Sequence, residues 1–161
     1  MLEIRKAISA DAGQIWKIIQ PIILNGDTYV FDPKSTKEEM LAYWYGQDKH
    51  TYVATENDKI VGTFFIKDNQ PGLGSHIANA AYMTLPAASG QGIGKTMGEF
   101  SLEEAKRLGY KAMQFNIVIK SNERALRLWD KLGFKIVGEI PEAFNHMQHG
   151  LTNAYILYRK L

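Results

Sequence analysis

Cysteine is absent from this sequence of 161 residues. Its absence excludes disulfides, thiolate metal sites and a cysteine nucleophile together, which is typical of a protein from a reducing compartment. An excess of charge of either sign is lacking too, because 19 Lys and Arg residues stand against 17 Asp and Glu residues, a formal charge of +2. This balance does not supply the basic surface that dominates affinity for DNA or RNA, so we expect no nucleic-acid partner.

Long hydrophobic runs are also missing, since no stretch approaches the roughly 20 apolar residues that a membrane span needs. The N-terminus begins with alternating apolar and charged residues over positions 2–6 and not with the apolar core of a signal peptide. We therefore expect a cytoplasmic protein with no membrane partner. Among the four histidines, His146 and His149 stand three apart without a carboxylate partner at ligand spacing, so we expect no metal site.

The apolar content is sufficient for one core: 45% of the residues are hydrophobic and 11% are aromatic, which fits a single domain over residues 1–161. The predicted strands cover residues 2–8, 51–55, 59–66, 76–85, 111–119, 134–139 and 153–158. The predicted helices begin near residues 12, 35, 92 and 121. Pro21 bends or ends the first helix, and the others run to about residues 45, 108 and 132. Strands before and after a pair of helices predict an α/β fold, a mixed sheet with helices on both faces.

A glycine-rich turn joins the strand that ends near Thr84 to the helix that begins near Gly92. Residues 89–96 are Ser-Gly-Gln-Gly-Ile-Gly-Lys-Thr. Such a turn exposes unpaired backbone N–H groups, and the helix dipole adds partial positive charge at the same place, so we expect an oxyanion there. Each amide contact contributes roughly 0.3 to 1 kcal/mol, so roughly three or four of them on one pyrophosphate would anchor a nucleotide-derived cofactor.

Other interpretations of this turn remain open at this point. A P-loop requires Gly, four residues and then Gly-Lys-Ser/Thr, but Ser89 stands where its first glycine should be, and no apolar strand ends in an obvious magnesium-binding Asp. A dinucleotide fingerprint requires a third glycine where Met97 stands, and it requires an N-terminal βαβ unit. The glycines also fit a purely structural role, in which they let the helix pack against the strand.

Two motifs resemble those of the GNAT acetyltransferases and occur in the same order along the chain. Residues 89–94 overlay the family's acetyl-CoA motif, Gln/Arg-x-x-Gly-x-Gly/Ala, and residues 122–134 overlay its Asn-x-x-Ala-x-x-Leu-Tyr-x-x-x-Gly-Phe signature. The two motifs lie about 30 residues apart, and the resemblance extends in element order over residues 2–160. Residues 114–118 and 141–144 are further similar to the branch that contains the fungal azetidine-carboxylate acetyltransferases.

The resemblance implies a GNAT fold, with a mixed and mostly antiparallel sheet, and acetyl-CoA as co-substrate. It implies that two strands, ending near Thr84 and Asn116, splay apart and that the thioester lies in the gap between them. The backbone of the first strand would bind the pantetheine arm, the amides of the turn would bind the pyrophosphate, and Asn122 would contact the cofactor further along. The cofactor-binding residues implied in this way are Tyr82, Met83 and Thr84, then Gly90, Gln91, Gly92, Ile93, Gly94 and Lys95, and finally Asn122.

Two residues depart from the family pattern. Ser89 replaces the usual Gln or Arg, which removes one side chain from the phosphate site but leaves its backbone donors. Trp129 stands where many members carry a Tyr that protonates the departing thiolate, and an indole N–H is no acid near neutral pH. A thiol with a pKa of about 8.5 still leaves without a dedicated acid, so we expect slower release and not an inactive enzyme.

Candidate catalytic and acceptor-binding residues flank the predicted gap. Asn116 would orient the amine or the acetyl oxygen, and His76 is a candidate because an imidazole titrates near neutral pH, although a strand-edge histidine also fits a solvated surface position. Asp27 and Tyr29 lie between the first two helices, where the fold places the acceptor. Asp27 would attract a cationic amine and Tyr29 would supply a wall or a hydroxyl, although a cap and a packing aromatic explain them equally well.

These patterns predict an N-acetyltransferase that moves the acetyl group of acetyl-CoA to the amine of a small molecule or amino acid, by direct attack in a ternary complex. Two alternatives stay open. One is acetylation of a protein or peptide amine, and the other is an acyl-CoA-binding sensor whose catalysis has decayed, which Ser89 and Trp129 make credible. By analogy at the level of the fold, exposed C-terminal strands can also pair across a homodimer.

Overall fold

The protein is a seven-stranded sheet with two helices on each face, and the computed structural model describes residues 1–161. The strands are β1 (Glu3–Lys6), β2 (Lys49–Glu56), β3 (Lys59–Asp68), β4 (Ile77–Thr84), β5 (Ala112–Ile119), β6 (Lys135–His146) and β7 (Gly150–Lys160). The helices are α1 (Ala12–Asn25), α2 (Lys37–Trp44), α3 (Ile93–Arg107) and α4 (Glu123–Lys131). The strand order is β1-β2-β3-β4-β5-β7-β6, and every neighbouring pair is antiparallel except β4 and β5. The predicted α/β fold with a mixed, mostly antiparallel sheet is therefore confirmed.

Two hydrophobic clusters fill the two faces of the sheet. Helices α3 and α4 cover one cluster, which includes Met97, Phe115 and Trp129. Helices α1 and α2 cover the other cluster, to which α1 contributes Ile15, Ile18, Ile19 and Ile23, all essentially unexposed. Burying each such side chain contributes about 1.5–3 kcal/mol relative to leaving it in water, so the apolar stripe explains the placement of α1.

Pro21 does not end α1, which was one of the two predicted effects of this proline, because the helix continues to Asn25. Gly26 ends it in the left-handed conformation, with a φ of 58°. A Cβ at Gly26 would collide with the Met147 side chain, so both the backbone conformation and the close approach require glycine here. Tertiary burial of the isoleucines outweighs the local cost of a proline in the helix.

Local sequence signals explain the next elements. Thr36 caps α2 in a capping box, since its Oγ1 accepts from Glu39 N at 3.1 Å and a Glu39 carboxylate oxygen accepts from Thr36 N at 3.2 Å. Asn57 and Asp58, both at positive φ, form the tight turn of the β2–β3 hairpin. The β6–β7 hairpin is longer than predicted, because β6 continues past a register shift between Ile140 and Phe144 to His146.

The parallel pair β4 and β5 diverges after a short contact. Only Ile77 with Ala112 and Ala78 with Met113 pair along its length. Just beyond, the Asn79 side-chain Nδ2 donates to the Gln114 carbonyl at 2.9 Å, so a side chain takes the place of the next strand-to-strand bond. The two strands are separate from this point to their carboxyl ends, which is the splayed geometry that the sequence resemblance implied.

No helix of the structure is both long enough and apolar enough to cross a membrane.

Candidate active site

An open cleft lies between the diverging ends of β4 and β5. Nine of the eleven residues that line it are hydrophobic, so the cleft suits an extended ligand of limited polarity. The lining residues are Thr28, Tyr29, Ala80, Tyr82, Phe115, Ile117, Val118, Ile119, Asn122, Ala125 and Trp129.

The edge of β4 that borders the cleft carries main-chain groups of alternate residues. Asn69 N donates to Ile77 O at 2.8 Å and Leu85 N donates to Val61 O at 2.8 Å, so the odd-numbered residues of β4 direct their N–H and C=O groups to β3. The main-chain groups of Tyr82 and Thr84 therefore face the cleft. Those of Met83 face β3.

The side chain of Met83 is 2% exposed and belongs to the cluster under α1 and α2. Of the three strand residues predicted to contact the pantetheine arm, Tyr82 and Thr84 thus present main-chain groups to the cleft. Met83 does not.

Tyr29 bridges the β4 edge from the segment between α1 and α2. Its hydroxyl accepts from Tyr82 N at 3.1 Å and donates to Tyr82 O. Burial raises the pKa of Tyr29 to about 12, so the hydroxyl stays protonated across the neutral range. The predicted acceptor-binding residue Tyr29 therefore lies in the cleft wall, with its hydroxyl committed to β4.

The glycine-rich turn before α3 presents free backbone donors. Gly90 and Gly92 have φ of 86° and 80°, and Gly92 is the N-cap of α3. The first intrahelical bond runs from Thr96 N to Gly92 O at 3.1 Å, so the N–H groups of Ile93, Gly94 and Lys95 have no partner within the helix.

The turn is also solvent-exposed over residues 89–92, and no atom lies within 4 Å of a Cβ built on Gly92. Converging amides at the positive end of a helix dipole match the donors that a diphosphate requires. The chemistry of this donor set fits the phosphate part of coenzyme A.

Arg124 is a further residue of this turn, which the sequence analysis did not single out. It lies in the first turn of α4, and its Nη1 donates to Ser89 Oγ at 2.6 Å. The contact joins residues 35 positions apart, so no local spacing could have revealed it. The available signal was a basic residue two positions after Asn122, inside the second family motif.

Asn122 itself lines the cleft and caps α4, because its side-chain oxygen accepts from Ala125 N at 3.3 Å. Its amide therefore reaches the cleft at the start of the helix, where it can contact a bound ligand with its remaining donors.

Trp129 forms the cleft wall at the position where the family pattern has a tyrosine. Its ring packs between Tyr82 and Phe115, with ring centroids 4.9 Å and 4.6 Å away. Every buried side-chain nitrogen and oxygen atom has a hydrogen-bond partner, and no protein acceptor bonds the indole N–H, so this N–H is accessible to solvent.

The cleft contains no general acid or base of the usual kind. No Asp, Glu, Lys or His lines it. The Tyr82 hydroxyl lies at 2.6 Å from Ser101 Oγ, and burial raises the pKa of Tyr82 above its ordinary value. Neither tyrosine of the wall is therefore an acid of useful strength near neutral pH.

Asn116 lies on the side of β5 opposite to Phe115, outside the lining of the cleft. Its Nδ2 donates to Asn69 Oδ1 at 2.7 Å, and its Oδ1 accepts from Gln114 Nε2 at 3.0 Å. It stands within the register shift of β5 between Phe115 and Val118, on the face that carries α1 and α2. The amide is held in place by these two neighbours.

His76 is not brought to the cleft. It precedes β4 at the end where β4 and β5 are paired, and its carbonyl accepts from Lys111 N at 2.8 Å. Tyr82 is six positions further along the chain, which corresponds to about 20 Å in an extended strand. The register of β4 thus places His76 away from the predicted chemistry.

The segment between α1 and α2 contacts the β6–β7 turn. Met147 N donates to Gly26 O at 3.1 Å, and the half-buried Asp27 follows directly. In that turn, His146 Nδ1 accepts from the backbone N–H groups of Gln148 and His149 at 3.0 and 3.2 Å, a structural role. No group of three or more His, Asp or Glu side chains is arranged to hold a metal ion.

Comparisons with known proteins agree with this geometry. The chain is 31% identical to the N-acetyltransferase aca1 of Schizosaccharomyces pombe over 81% of its own length and 71% of that protein. A fungal N-acetyltransferase is thus among its relatives, in line with the fungal branch that the sequence resembled.

Solved structures of acetyltransferases share the fold. A GCN5-related N-acetyltransferase from Kribbella flavida superposes with a TM-score of 0.94 at 36% identity, covering 99% of this chain and 98% of that one. The acetyltransferase yncA of Salmonella typhimurium, solved with its cofactor acetyl-CoA, superposes with a TM-score of 0.87 at 22% identity, covering 100% and 94%. The model of the acetyltransferase (GNAT) family matches residues 18–134, so with its splayed β4 and β5 and the amide-bearing turn before α3 this chain belongs to the GNAT family of N-acetyltransferases.

Proposed function

We propose that the protein transfers an acetyl group from acetyl-CoA to the amine of a small molecule or amino acid. The observation that carries the proposal is the continuity of two features in the chain. The β4 edge that faces the cleft runs, within eight residues, into the turn whose amides at residues 90–95 lack partners. One ligand with an extended arm and a diphosphate fits both features.

The residues of the turn bind the diphosphate through the amides of Gly90, Gln91, Gly92, Ile93, Gly94 and Lys95. The cleft-facing backbone of Thr84 then binds the pantetheine arm in the manner of an added strand. The arm passes Tyr82, whose N–H and C=O are bonded to the Tyr29 hydroxyl. Met83 contributes by fixing this strand, because its backbone pairs with β3 and its side chain is buried. Asn122 supports the arm from the start of α4.

When bound, acetyl-CoA supplies an acetyl group on a thiol whose pKa is about 8.5. The N–H of Thr84 donates to the acetyl oxygen and polarises it, and removal of one such donor in other enzymes costs about 2.7–4 kcal/mol. Trp129 offers a hydrogen bond from its indole N–H but no proton. Water accepts the proton that the acceptor's ammonium loses before the neutral amine attacks the carbonyl carbon, because no carboxylate or imidazole lines the cleft. The C–S bond then breaks, and coenzyme A leaves as its thiolate.

The acceptor approaches from the face that carries α1 and α2. Asn116, held by Asn69 and Gln114, orients its amine. Asp27, which directly precedes the lining residue Thr28, attracts a cationic amine, while Tyr29 supplies the wall.

A small acceptor is favoured over an extended peptide by the bond from Met147 N to Gly26 O at 3.1 Å. This bond joins the β6–β7 turn to the end of α1 and bridges the acceptor side. A long peptide would have to break the bridge, whereas a free amine or amino acid would not.

The test measures CoA release by purified protein with acetyl-CoA and a panel of free amines, amino acids and peptides. We expect thiol release with at least one free amine and no preference for peptides. Faster turnover of peptides would replace the small-molecule acceptor with a protein one. Thermal stabilisation by CoA without turnover of any acceptor would instead indicate a sensor.

A further inference from the structure

We propose that Arg124, anchored by Ser89, binds the diphosphate of coenzyme A and so replaces the Gln or Arg side chain that the family motif has at position 89. The inference rests on the proposed function, because it assigns a residue to the coenzyme A site. It goes beyond the two sequence motifs, since Arg124 is not one of their defining positions.

The position of the guanidinium is the first support. Arg124 Nη1 lies 2.6 Å from Ser89 Oγ, and Arg124 Nη2 lies 3.7 Å from the place where a Cβ on Gly90 would stand. The side chain therefore reaches from α4 across to the first half of the glycine-rich turn. A ligand held by the amides of residues 90–95 would lie within reach of this cation.

The charge of Arg124 is the second support, because it has no acidic partner. On the same helix Arg127 pairs with Glu123 at 3.6 Å, and at the turn Lys95 pairs with Glu99 at 3.5 Å. Arg124 forms no such ion pair, and its only side-chain bond uses one of five guanidinium N–H donors. The remaining donors are exposed and suit the two-pronged binding of a phosphate.

The short side chain at position 89 explains the arrangement. A serine hydroxyl cannot reach a phosphate as a Gln or Arg can, but it accepts a bond that fixes the direction of Arg124. One function of the family motif is thereby divided between two residues, with Ser89 as the positioning residue and Arg124 as the one that contacts the ligand.

The experiment measures the affinity for CoA and for 3′-dephospho-CoA by calorimetry, with no acceptor and no turnover. We expect Arg124→Gln to weaken the binding of both ligands about tenfold, the effect of losing one charge-assisted contact at an exposed site. Arg127→Gln, with the same change of charge on the same helix, should remain within about twofold of the original protein, since a surface ion pair contributes little.

Two further readouts separate binding from a structural role. The melting temperature of the free Arg124→Gln protein should equal that of the original, and its CoA affinity should fall less steeply with added salt, because one phosphate contact is gone. The double variant Ser89→Gln with Arg124→Gln should regain most of the lost affinity, because Gln supplies the family's own side chain.

Each contrary outcome has its own meaning. Equal affinities of the Arg124→Gln and Arg127→Gln proteins for CoA would refute the binding of the diphosphate by Arg124 and would leave the proposed function intact. A loss seen with CoA but not with 3′-dephospho-CoA would show that Arg124 binds the 3′-phosphate, which also overturns the proposal. An original protein that binds no CoA would refute the proposed function itself.

Discussion

Replacing Gly92 by Asp adds one negative charge to the glycine-rich turn and so tests whether the turn binds a diphosphate. Gly92 is the N-cap of α3 at a φ of 80°, and no atom lies within 4 Å of a Cβ built there. A side chain at this position therefore meets open space on the side where we place the diphosphate. Gly92→Asn is the matched uncharged variant. Asn has the shape of Asp without its charge, and both tolerate the left-handed backbone at a cost of about 1–2 kcal/mol or less.

The expected difference between the two variants follows from Coulomb's law. Two unit charges 4 Å apart repel by about 1 kcal/mol in bulk water and by about 4 kcal/mol at the effective dielectric constant of a protein surface. An intermediate value of about 3 kcal/mol corresponds to roughly a hundredfold loss of affinity. We therefore expect Gly92→Asp to bind CoA about a hundredfold more weakly than Gly92→Asn, with the gap narrowing at high salt.

The assay is calorimetric titration of CoA into each variant, with melting temperatures as the control for folding. Asp is a favourable N-cap and its charge complements the helix dipole, so the free Asp variant should be at least as stable as the Asn variant. Equal affinity of the two variants for CoA would refute the placement of the diphosphate at this turn.

Three further changes test the cleft and the sheet. Tyr29→Phe removes the hydroxyl that bridges the N–H and C=O of Tyr82, so urea denaturation should show an unfolding free energy lower by about 1–2 kcal/mol, and no change would contradict the bridge. Trp129→Phe should lower kcat less than about tenfold, because the indole gives no proton; a fall of about a hundredfold or more in steady-state assays would reveal a role as large as that of a general acid. The hydrogen bond from Arg107 lowers the pKa of Glu104 from 4.5 to about 2, so its contribution to stability is complete above pH 4.5 and is lost as the pH falls toward 2. Between about pH 5 and 2, the Glu104→Gln protein should therefore lose less unfolding free energy than the original protein. An equal loss in the two proteins would contradict this assignment.

Elements with a local cause were predictable from the sequence. The capping box of Thr36 and Glu39 and the Asn57-Asp58 hairpin turn each depend on residues within four positions of one another. Pro21 misled the prediction of where α1 ends, because burial of the helix against the sheet decides its length. The full extent of β6 was not predicted, because the strand runs through a register shift near Pro141, where the local β propensity is poor.

The candidate site also combines a feature that the sequence predicted with contacts that it did not. The glycine-rich turn is contiguous in sequence, so its glycines could be interpreted directly. The contact of Arg124 with Ser89 and the bond of Tyr29 to Tyr82 join residues 35 and 53 positions apart, and only the folded chain brings them together. His76 was a candidate because it begins the strand beside the predicted gap and an imidazole titrates near neutral pH, but the register of β4 places it at the paired end of the strand.

We propose that the amides of residues 90–95 hold the diphosphate of coenzyme A while the β4 edge holds its arm. A crystal structure of the complex with CoA tests this arrangement. We expect diphosphate oxygens about 2.7–3.2 Å from these amides, and the pantetheine arm along the cleft-facing edge of β4 at Tyr82 and Thr84. A diphosphate bound elsewhere, with the turn making no contact to it, would refute the proposed function.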